Sequence, residues 1–255
     1  MPLITLTTDF GSVYPAAMKG VILGIDPRAT IIDIAHTIPH GDIRAGAFAL
    51  YSVVPYFPTG TVHVAVVDPG VGTARDSIVI FAGNHFFVGP DNGLMVPAAS
   101  RLGKMQVCKI TNFGLLGDIS ATFHGRDVFA RIGAYLSEGI PLEEIGETTL
   151  DYVHLDFGAV EVKANFISGE VIYIDDFGNV ITNIKASDML KMFNFKEQVR
   201  VFGNPMPFLA TYGSAGQGEL LALIGSHGFL EIAVNRGSAA KMLKIQCTNE
   251  VRIEK

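Results

Sequence analysis

The sequence predicts an α/β protein in two parts, an N-terminal α/β domain with a mostly parallel central sheet over residues 1–158 and a smaller antiparallel domain over residues 159–255. Two observations predict this fold class. In the first part apolar, strand-like runs alternate with helical stretches, which is typical of a parallel sheet flanked by helices. From about residue 160 the apolar runs are short and separated by Gly, Asp and Asn, as in an antiparallel barrel or sandwich.

The elements of the first part follow one another in a regular order. Residues 3–7 are typical of a strand, and Pro15 lies where the first turn of the next helix tolerates proline. Asp42 is suited to cap a helix over residues 43–51. The other predicted elements are strands over 31–34, 61–67, 77–81 and 85–88 and a helix over about 125–137.

The second part contains strands and turn residues in close succession. No linker or internal repeat marks where it begins, and the change of period alone places the boundary between residues 150 and 165. The predicted strands cover residues 160–163, 169–174, 180–184, 198–202, 219–224, 229–233 and 243–247.

The composition favours a globular protein that acts on a small molecule. Hydrophobic residues make up 49% of the chain and charged residues 17%, which excludes a disordered chain. The net charge is -6 and no Lys/Arg cluster occurs, so a nucleic acid or an anionic membrane is not expected as a partner.

The cysteines, histidines and N-terminal residues indicate neither a metal site nor a secreted protein. Cys108 and Cys247 are far apart, and Pro39 interrupts the helical spacing of His36 and His40, so no metal is expected. The first residues lack a basic segment and reach an acid at Asp9, and no apolar stretch has membrane-spanning length. We expect a cytoplasmic location.

The most informative stretch is the end of the strand over residues 61–67. It leads into Asp68 and a glycine-rich loop that reaches Arg75, and the carboxyl ends of strands in open α/β sheets are where ligands bind. A carboxylate and a guanidinium seven residues apart can form an ion pair across this loop. That pair either holds the loop or takes part in chemistry.

Other polar clusters also follow or interrupt apolar segments, and each has a structural alternative. Asp9 is either a helix cap or turn residue, or a carboxylate for ribose hydroxyls. His124 lies just before a predicted helix, where it is either a helix cap, a packed ring or a catalytic residue. Residues 175–179 are typical of a hairpin turn, as are the segments that contain Tyr212 and Ser226.

Taken together and in this order, these motifs resemble one family, the S-adenosyl-L-methionine (SAM) hydroxide adenosyltransferases, also called the domain-of-unknown-function 62 family, which are relatives of fluorinase and chlorinase. The resemblance runs nearly end to end. It implies that the C-terminal domain is a β-barrel and that the protein is a homotrimer, with each site between one subunit's N-terminal domain and a neighbour's C-terminal domain. The motifs are Thr8–Gly11, Asp68–Arg75, Pro90–Leu94, Thr122–Asp127 and Phe177–Asn183.

The resemblance implies an activity and three catalytic residues. The family hydrolyses SAM to adenosine and L-methionine by attack of hydroxide on ribose C5′, without a cofactor. Its Asp-Arg-His triad matches Asp68, Arg75 and His124 here. The halogenases have tyrosine at the position of Asp68 and a halide-binding serine in the region of His124, and a carboxylate repels a halide, so Asp68 favours water as the nucleophile.

The same correspondence implies a set of substrate-binding residues. Asp9 would hold the ribose hydroxyls, Asn179 the adenine, and Tyr212 would stack on the purine ring. Asp175 and Ser226 would hold the methionine end. The turn before Phe177 is one residue shorter than in the halogenases, which leaves Asp175 and Asp176 open as alternatives, and His227 replaces an arginine.

Two other functions fit parts of the sequence. One is a metal-dependent hydrolase of nucleosides or phosphoesters with Asp9, Asp68 and His124 as ligands, although Ser12 and Val13 stand where a pair of acids would be needed. The other is a non-catalytic module that binds SAM or adenosine.

Overall fold

The structure is a computed structural model that describes residues 2–255. Its packing divides the chain into an N-terminal unit that ends at Asp156 and a C-terminal unit, Phe157–Lys255. Each unit has a hydrophobic core of its own. A domain boundary between residues 158 and 159 stays a prediction.

The N-terminal unit is built on a seven-stranded sheet. The strands are β1 (Leu3–Thr8), β2 (Thr30–Ala35), β3 (Val62–Val66), β4 (Ser77–Ala82), β5 (His85–Pro90), β6 (Gln106–Ile110) and β7 (Gly146–Thr149). They are ordered β2-β1-β3-β5-β4-β6-β7, and the first four in this order run parallel. All five residues of β3 are buried, as expected for a central strand of a parallel sheet.

Helices connect and cover these strands. The helix α1 has Pro15 in its first turn, and α2 is capped by Asp42, whose Oδ1 accepts the Ala45 N–H at 2.9 Å. In the core, α1 packs on α4 and α2 packs on α3. The helices are α1 (Tyr14–Ile25), α2 (Ile43–Val53), α3 (Val96–Leu102), α4 (Ala130–Glu138) and α5 (Leu142–Ile145).

The C-terminal unit is antiparallel and nearly barrel-shaped. Its main sheet has the order β12-β11-β15-β9-β10-β14-β13, and β8 pairs with β9. Next to the two end strands, the Leu209 N–H donates to the Ala222 carbonyl at 2.8 Å, which brings the ends of the sheet together. The elements are β8 (Glu161–Val162), β9 (Phe166–Ile174), β10 (Val180–Lys185), α6 (Ala186–Met192), β11 (Gln198–Val201), β12 (Asn204–Pro207), β13 (Leu220–Ile224), β14 (Phe229–Val234), α7 (Ala239–Leu243) and β15 (Glu250–Glu254).

The predicted fold class is confirmed, but the strand predicted over residues 243–247 is wrong. The helix α7 ends at Leu243, Lys244 adopts the left-handed conformation, and the Ile245 N–H donates to the Ala240 carbonyl at 3.0 Å. Leu243 and Ile245 both pack against the core, so a helix end produces the alternation expected of a strand. Within residues 2–255, no helix is long and apolar enough to cross a membrane.

Candidate active site

The sheet brings Asp9 and Asp68 to the same edge of the N-terminal unit. The strands β1 and β3 are parallel neighbours, with Thr8 opposite Val66, so the chain leaves both strands in the same direction. The Asn92 Nδ2 donates to the Val67 carbonyl at 2.8 Å and fixes the backbone next to Asp68. The sequence analysis gave Asn92 no separate role. The feature that could have indicated one is its position in the turn directly after β5.

Asp68 and Arg75 form the ion pair that their spacing predicts. The Arg75 Nε donates to Asp68 Oδ1 at 3.0 Å, and Nη2 donates to Oδ2 of the same carboxylate. The side chains are only 4% and 11% exposed, so water screens the pair weakly. The Arg75 Nη1 donates to Ser77 Oγ at 2.9 Å, which helps to fix the orientation of the guanidinium.

His124 joins this pair through Arg75. The Arg75 Nη2 also donates to His124 Nδ1 at 2.9 Å, so Nδ1 accepts and the ring proton of the neutral imidazole lies on Nε2. Burial and the Arg75 charge lower the pKa of His124 below its ordinary value of 6.5, against the opposite effect of the Asp68 and Asp127 carboxylates. His124 is therefore neutral at pH 7.

Two glycines allow the loops around these residues to approach closely. Gly72 has a φ of 76°, and a Cβ there would lie 2.5 Å from the Ala121 carbonyl oxygen. A Cβ on Gly125 would lie 2.7 Å from the ring of Phe10. Gly125 opens a π-helical turn, Gly125–Phe129, that continues into α4, and such turns are frequent at functional sites.

The next two residues of the same motif hold the loop before His124. Arg126 binds the Asp127 carboxylate through Nε at 2.6 Å and Nη2 at 2.9 Å, and Asp127 Oδ2 accepts the Ser120 N–H at 2.9 Å. The hydrogen bond from Arg126 lowers the pKa of the Asp127 carboxyl, although burial opposes it. This pair supports His124 through the backbone.

The side chain of Asp9 is buried, and Asp9 is not a helix cap. The N-cap of α1 is Val13, so that interpretation of Asp9 is wrong. The Asp9 side chain is 3% exposed, and its Oδ2 accepts the Gly41 N–H at 2.8 Å and lies 3.1 Å from Nδ1 of His40, which is 94% exposed. Asp9 is thus a fixed hydrogen-bond acceptor next to an exposed histidine.

Asp175 and Asn179 lie in the turn between β9 and β10 of the C-terminal unit, as the hairpin interpretation predicts. The Asp175 carboxylate accepts the backbone N–H groups of Phe177 at 3.0 Å and Asn179 at 2.8 Å, and it accepts the Asn179 Nδ2 at 2.9 Å. Gly178 has a φ of 81°, which a tight turn of this kind requires.

This turn forms one wall of a cavity of about 540 Å³, a volume within the usual range for small-molecule sites. The cavity contains Asp175, Asn179 and Tyr212 of the predicted substrate residues, whereas Asp176 and Ser226 are not among the residues that line it. Ser226 is exposed in the turn between β13 and β14. The lining residues that sequence reasoning did not identify are Phe177, Val234, Arg236, Gly237 and Ser238.

The structure thus groups most of the predicted residues. Asp68, Arg75 and His124 form one hydrogen-bonded cluster at the sheet edge that also carries Asp9, and Asp175, Asn179 and Tyr212 line one cavity. In the described part of the chain, no group of three or more His, Cys, Asp or Glu side chains is placed to hold a metal ion.

Comparison with known proteins gives the same two-part division. The model of the SAM hydroxide adenosyltransferase N-terminal domain matches residues 4–146, and the model of the corresponding C-terminal domain matches residues 169–252. The chain is 41% identical to the (R)-S-adenosyl-L-methionine hydrolase of Salinispora tropica, over 99% of this chain and 97% of that protein.

A solved structure and a more distant relative extend the comparison. The crystal structure of an uncharacterized conserved protein from Thermotoga maritima superposes with a TM-score of 0.92 at 38% identity, covering 99% of this chain and 100% of that one. A fluorinase from an Actinoplanes species is 27% identical over 100% of this chain and 98% of its own length. The chain belongs to the SAM hydroxide adenosyltransferase family.

Proposed function

We propose that the protein hydrolyses SAM to adenosine and L-methionine. The observation that carries this proposal is the Arg75 guanidinium, which binds the Asp68 carboxylate and the neutral His124 ring at once in a member of this family. The full-length similarity to a relative named as an (R)-S-adenosyl-L-methionine hydrolase supports the same substrate and reaction.

The reaction requires a nucleophile but no acid at the leaving group. The water oxygen attacks ribose C5′, the C5′–S bond breaks, and its electron pair neutralises the sulfonium, so that methionine leaves as a neutral thioether. The water gives up one proton. Since water has a pKa of about 15.7, a neighbouring base and cation must assist this step.

Asp68 is the group best placed to accept the proton. His124 Nδ1 is occupied by the Arg75 hydrogen bond and Nε2 carries the ring proton, so His124 in this state donates to the water and orients it. Each Asp68 oxygen accepts one bond from Arg75 and keeps a second lone pair for the water. Arg75 holds both groups and stabilises the charge that develops on the nucleophile.

The cavity of the C-terminal unit fits the adenosine part of the substrate. Its volume and its mix of aromatic and polar side chains suit a nucleoside, with Tyr212 as the stacking surface and Asn179 at the adenine edge. Asp175 is the better candidate for the methionine end than Asp176 because it lines the cavity. Asp9 would bind the ribose hydroxyls, and Ser226 would bind the methionine end from its exposed turn.

A homotrimer would combine the two groups of residues in one site, between the N-terminal unit of one subunit and the C-terminal unit of its neighbour. Exposed apolar side chains in both units support association. They are Val13 and Tyr14, whose ring contacts Phe123, in one unit and Phe177 at the cavity in the other. A cytoplasmic location also belongs to the proposal.

The test is to incubate the purified protein with SAM in water enriched in the heavy oxygen isotope and to separate the products by chromatography. We expect adenosine and methionine in equal amounts, with the heavy isotope in the 5′-hydroxyl of adenosine. Turnover at the background rate would indicate a non-catalytic binding module, and loss of turnover with EDTA would indicate a metal-dependent hydrolase. Either outcome overturns the proposal.

A further inference from the structure

The C-terminal unit buries one carboxylate next to the cavity, that of Glu231. Glu231 lies in the middle of β14, paired with Ile181 of β10 on one side and with Leu223 of β13 on the other. Its side chain is 4% exposed, and the other residues of β14 are apolar. A carboxylate in such a place is strongly unfavourable unless hydrogen bonds stabilise it.

Both oxygens of Glu231 have a partner. The Tyr212 hydroxyl donates to Oε1 at 2.6 Å, and the His227 Nε2–H donates to Oε2 at 3.3 Å. His227 Nδ1 accepts the Phe229 N–H at 3.2 Å, which places the ring proton on Nε2. Burial and the hydrogen bond to Glu231 raise the pKa of the Tyr212 phenol, so this hydroxyl remains a donor at physiological pH.

The hydrogen bond to Glu231 fixes the position of the Tyr212 ring. Tyr212 opens a short 3-10 turn, Tyr212–Ser214, and is 42% exposed at the cavity wall. Without a hydrogen bond to hold it, an aromatic ring at such a position can adopt other rotamers. Glu231 is rigid because it belongs to a buried strand, and it is not among the residues that line the cavity. A ring fixed before binding loses less entropy when a base stacks on it.

We propose that Glu231 is a positioning residue for substrate recognition, which acts through Tyr212 by holding its ring where the purine stacks. The proposal rests on the proposed function, since that function supplies the purine. Glu231 touches neither the substrate nor the reacting atoms, and its effect belongs to binding.

The test compares Glu231→Met, Tyr212→Phe and the double variant. Methionine fits an apolar strand, but it leaves the Tyr212 hydroxyl and the His227 Nε2–H without their acceptor, so we expect some loss of stability as well. For each single variant we expect KM for SAM and the Kd for adenosine to rise about tenfold, with kcat within about threefold of the wild type. KM and Kd of the double variant should be no higher than those of the single variant with the larger effect, because both changes remove the same hydrogen bond.

Glu250→Met, at an exposed position of β15, is the matched control and should leave KM and Kd unchanged. Unchanged KM and Kd in both single variants, a fall in kcat alone, or effects that multiply in the double variant would each overturn the inference. If Glu231→Met does not fold, the Kd of Tyr212→Phe for adenosine still tests the inference. Absence of wild-type turnover would refute the proposed function, whereas the adenosine Kd values would still decide the role of Glu231.

Discussion

The polar residues of the two units are held in different ways. In the N-terminal unit the Arg75 guanidinium joins Asp68 of its own loop to His124, which is 49 residues away in the sequence. In the C-terminal unit the Asp175 carboxylate binds groups of its own turn. The first arrangement fixes charged groups relative to one another, as bond-breaking chemistry needs, whereas the second shapes a cavity wall, as binding needs.

The largest expected effect separates chemistry from binding within the first group. We expect Asp68→Asn to lower kcat by about a thousandfold, since removal of a general base costs on the order of 100-fold to 10,000-fold. The Kd for adenosine should stay within about threefold, because the cavity residues belong to the other unit. Adenosine release from SAM and calorimetric titration with adenosine measure the two quantities.

Asp76→Asn is the control for the loss of a carboxylate in the same loop, where Asp76 binds Lys109 at 2.7 Å and is half exposed. It should keep wild-type kcat. A kcat for Asp68→Asn within tenfold of the wild type would refute the role of Asp68 as the base.

The second prediction tests whether the two groups act in one site across subunits. Asp68→Asn removes the base and Asn179→Ala weakens adenine binding, so each variant alone should be nearly inactive at low SAM concentration. When the two are co-expressed, random assembly should restore about a quarter of the wild-type sites, because one unit from each parent completes a site in a cyclic oligomer. Size-exclusion chromatography of the mixture checks the homotrimer, and activity no higher than that of the parents would contradict the shared site.

The third prediction compares the backbone of the two groups. Ala at Gly72 requires an unfavourable positive φ and meets the Ala121 carbonyl at 2.5 Å, so we expect a loss of stability of about 1–3 kcal/mol and a fall in kcat of about tenfold. Ala at Gly178, where a Cβ would meet Ser238 Oγ, should raise KM instead. Chemical unfolding and steady-state kinetics measure these effects.

Gly24→Ala is the control for this pair. Gly24 lies in α1, and a Cβ added there would meet no neighbouring side chain within 4 Å, so Ala should raise stability by about 0.5–1 kcal/mol and leave both kinetic constants unchanged. If Gly178→Ala lowered kcat and left KM unchanged, the division between chemistry and binding would be wrong.

The features that depend on neighbouring residues were predictable from the sequence, and those that depend on distant ones were not. The Asp68–Arg75 pair and the Asp42 cap lie within one loop or turn, where spacing alone indicates contact. That Arg75 also reaches His124 depends on how β3 and the π-helical turn pack, and local pattern carries no signal of it. Only the family resemblance predicted that Arg75 and His124 belong to one site.

Glu231 has a sequence signal that spacing alone does not resolve. A single carboxylate in the otherwise apolar run of β14 indicates either an outward-facing residue or a buried group with dedicated partners. Its partners, Tyr212 and His227, come from separate turns, so only the packed structure shows which alternative holds.

A pH dependence also distinguishes the two groups, with no effect expected at neutral pH. His124 has a lowered pKa, so its neutral form, which accepts the Arg75 hydrogen bond, persists at and above pH 6.5 and is lost as the pH falls further below that value. Protonation adds a positive charge next to Arg75 and removes the acceptor at Nδ1. We therefore expect kcat/KM for SAM to be flat above pH 6.5 and to decline on acidification, by about tenfold for each pH unit below the pKa of His124.

The Kd for adenosine, measured over the same range, provides the comparison, because the cavity contains no histidine among its lining residues. It should stay constant where kcat/KM declines. A decline that begins above pH 6.5 would show that protonation of His124 is not its cause, since burial and the Arg75 charge lower this pKa. In His124→Asn the acidic decline should disappear while a reduced plateau remains, because asparagine offers Arg75 an acceptor that does not titrate.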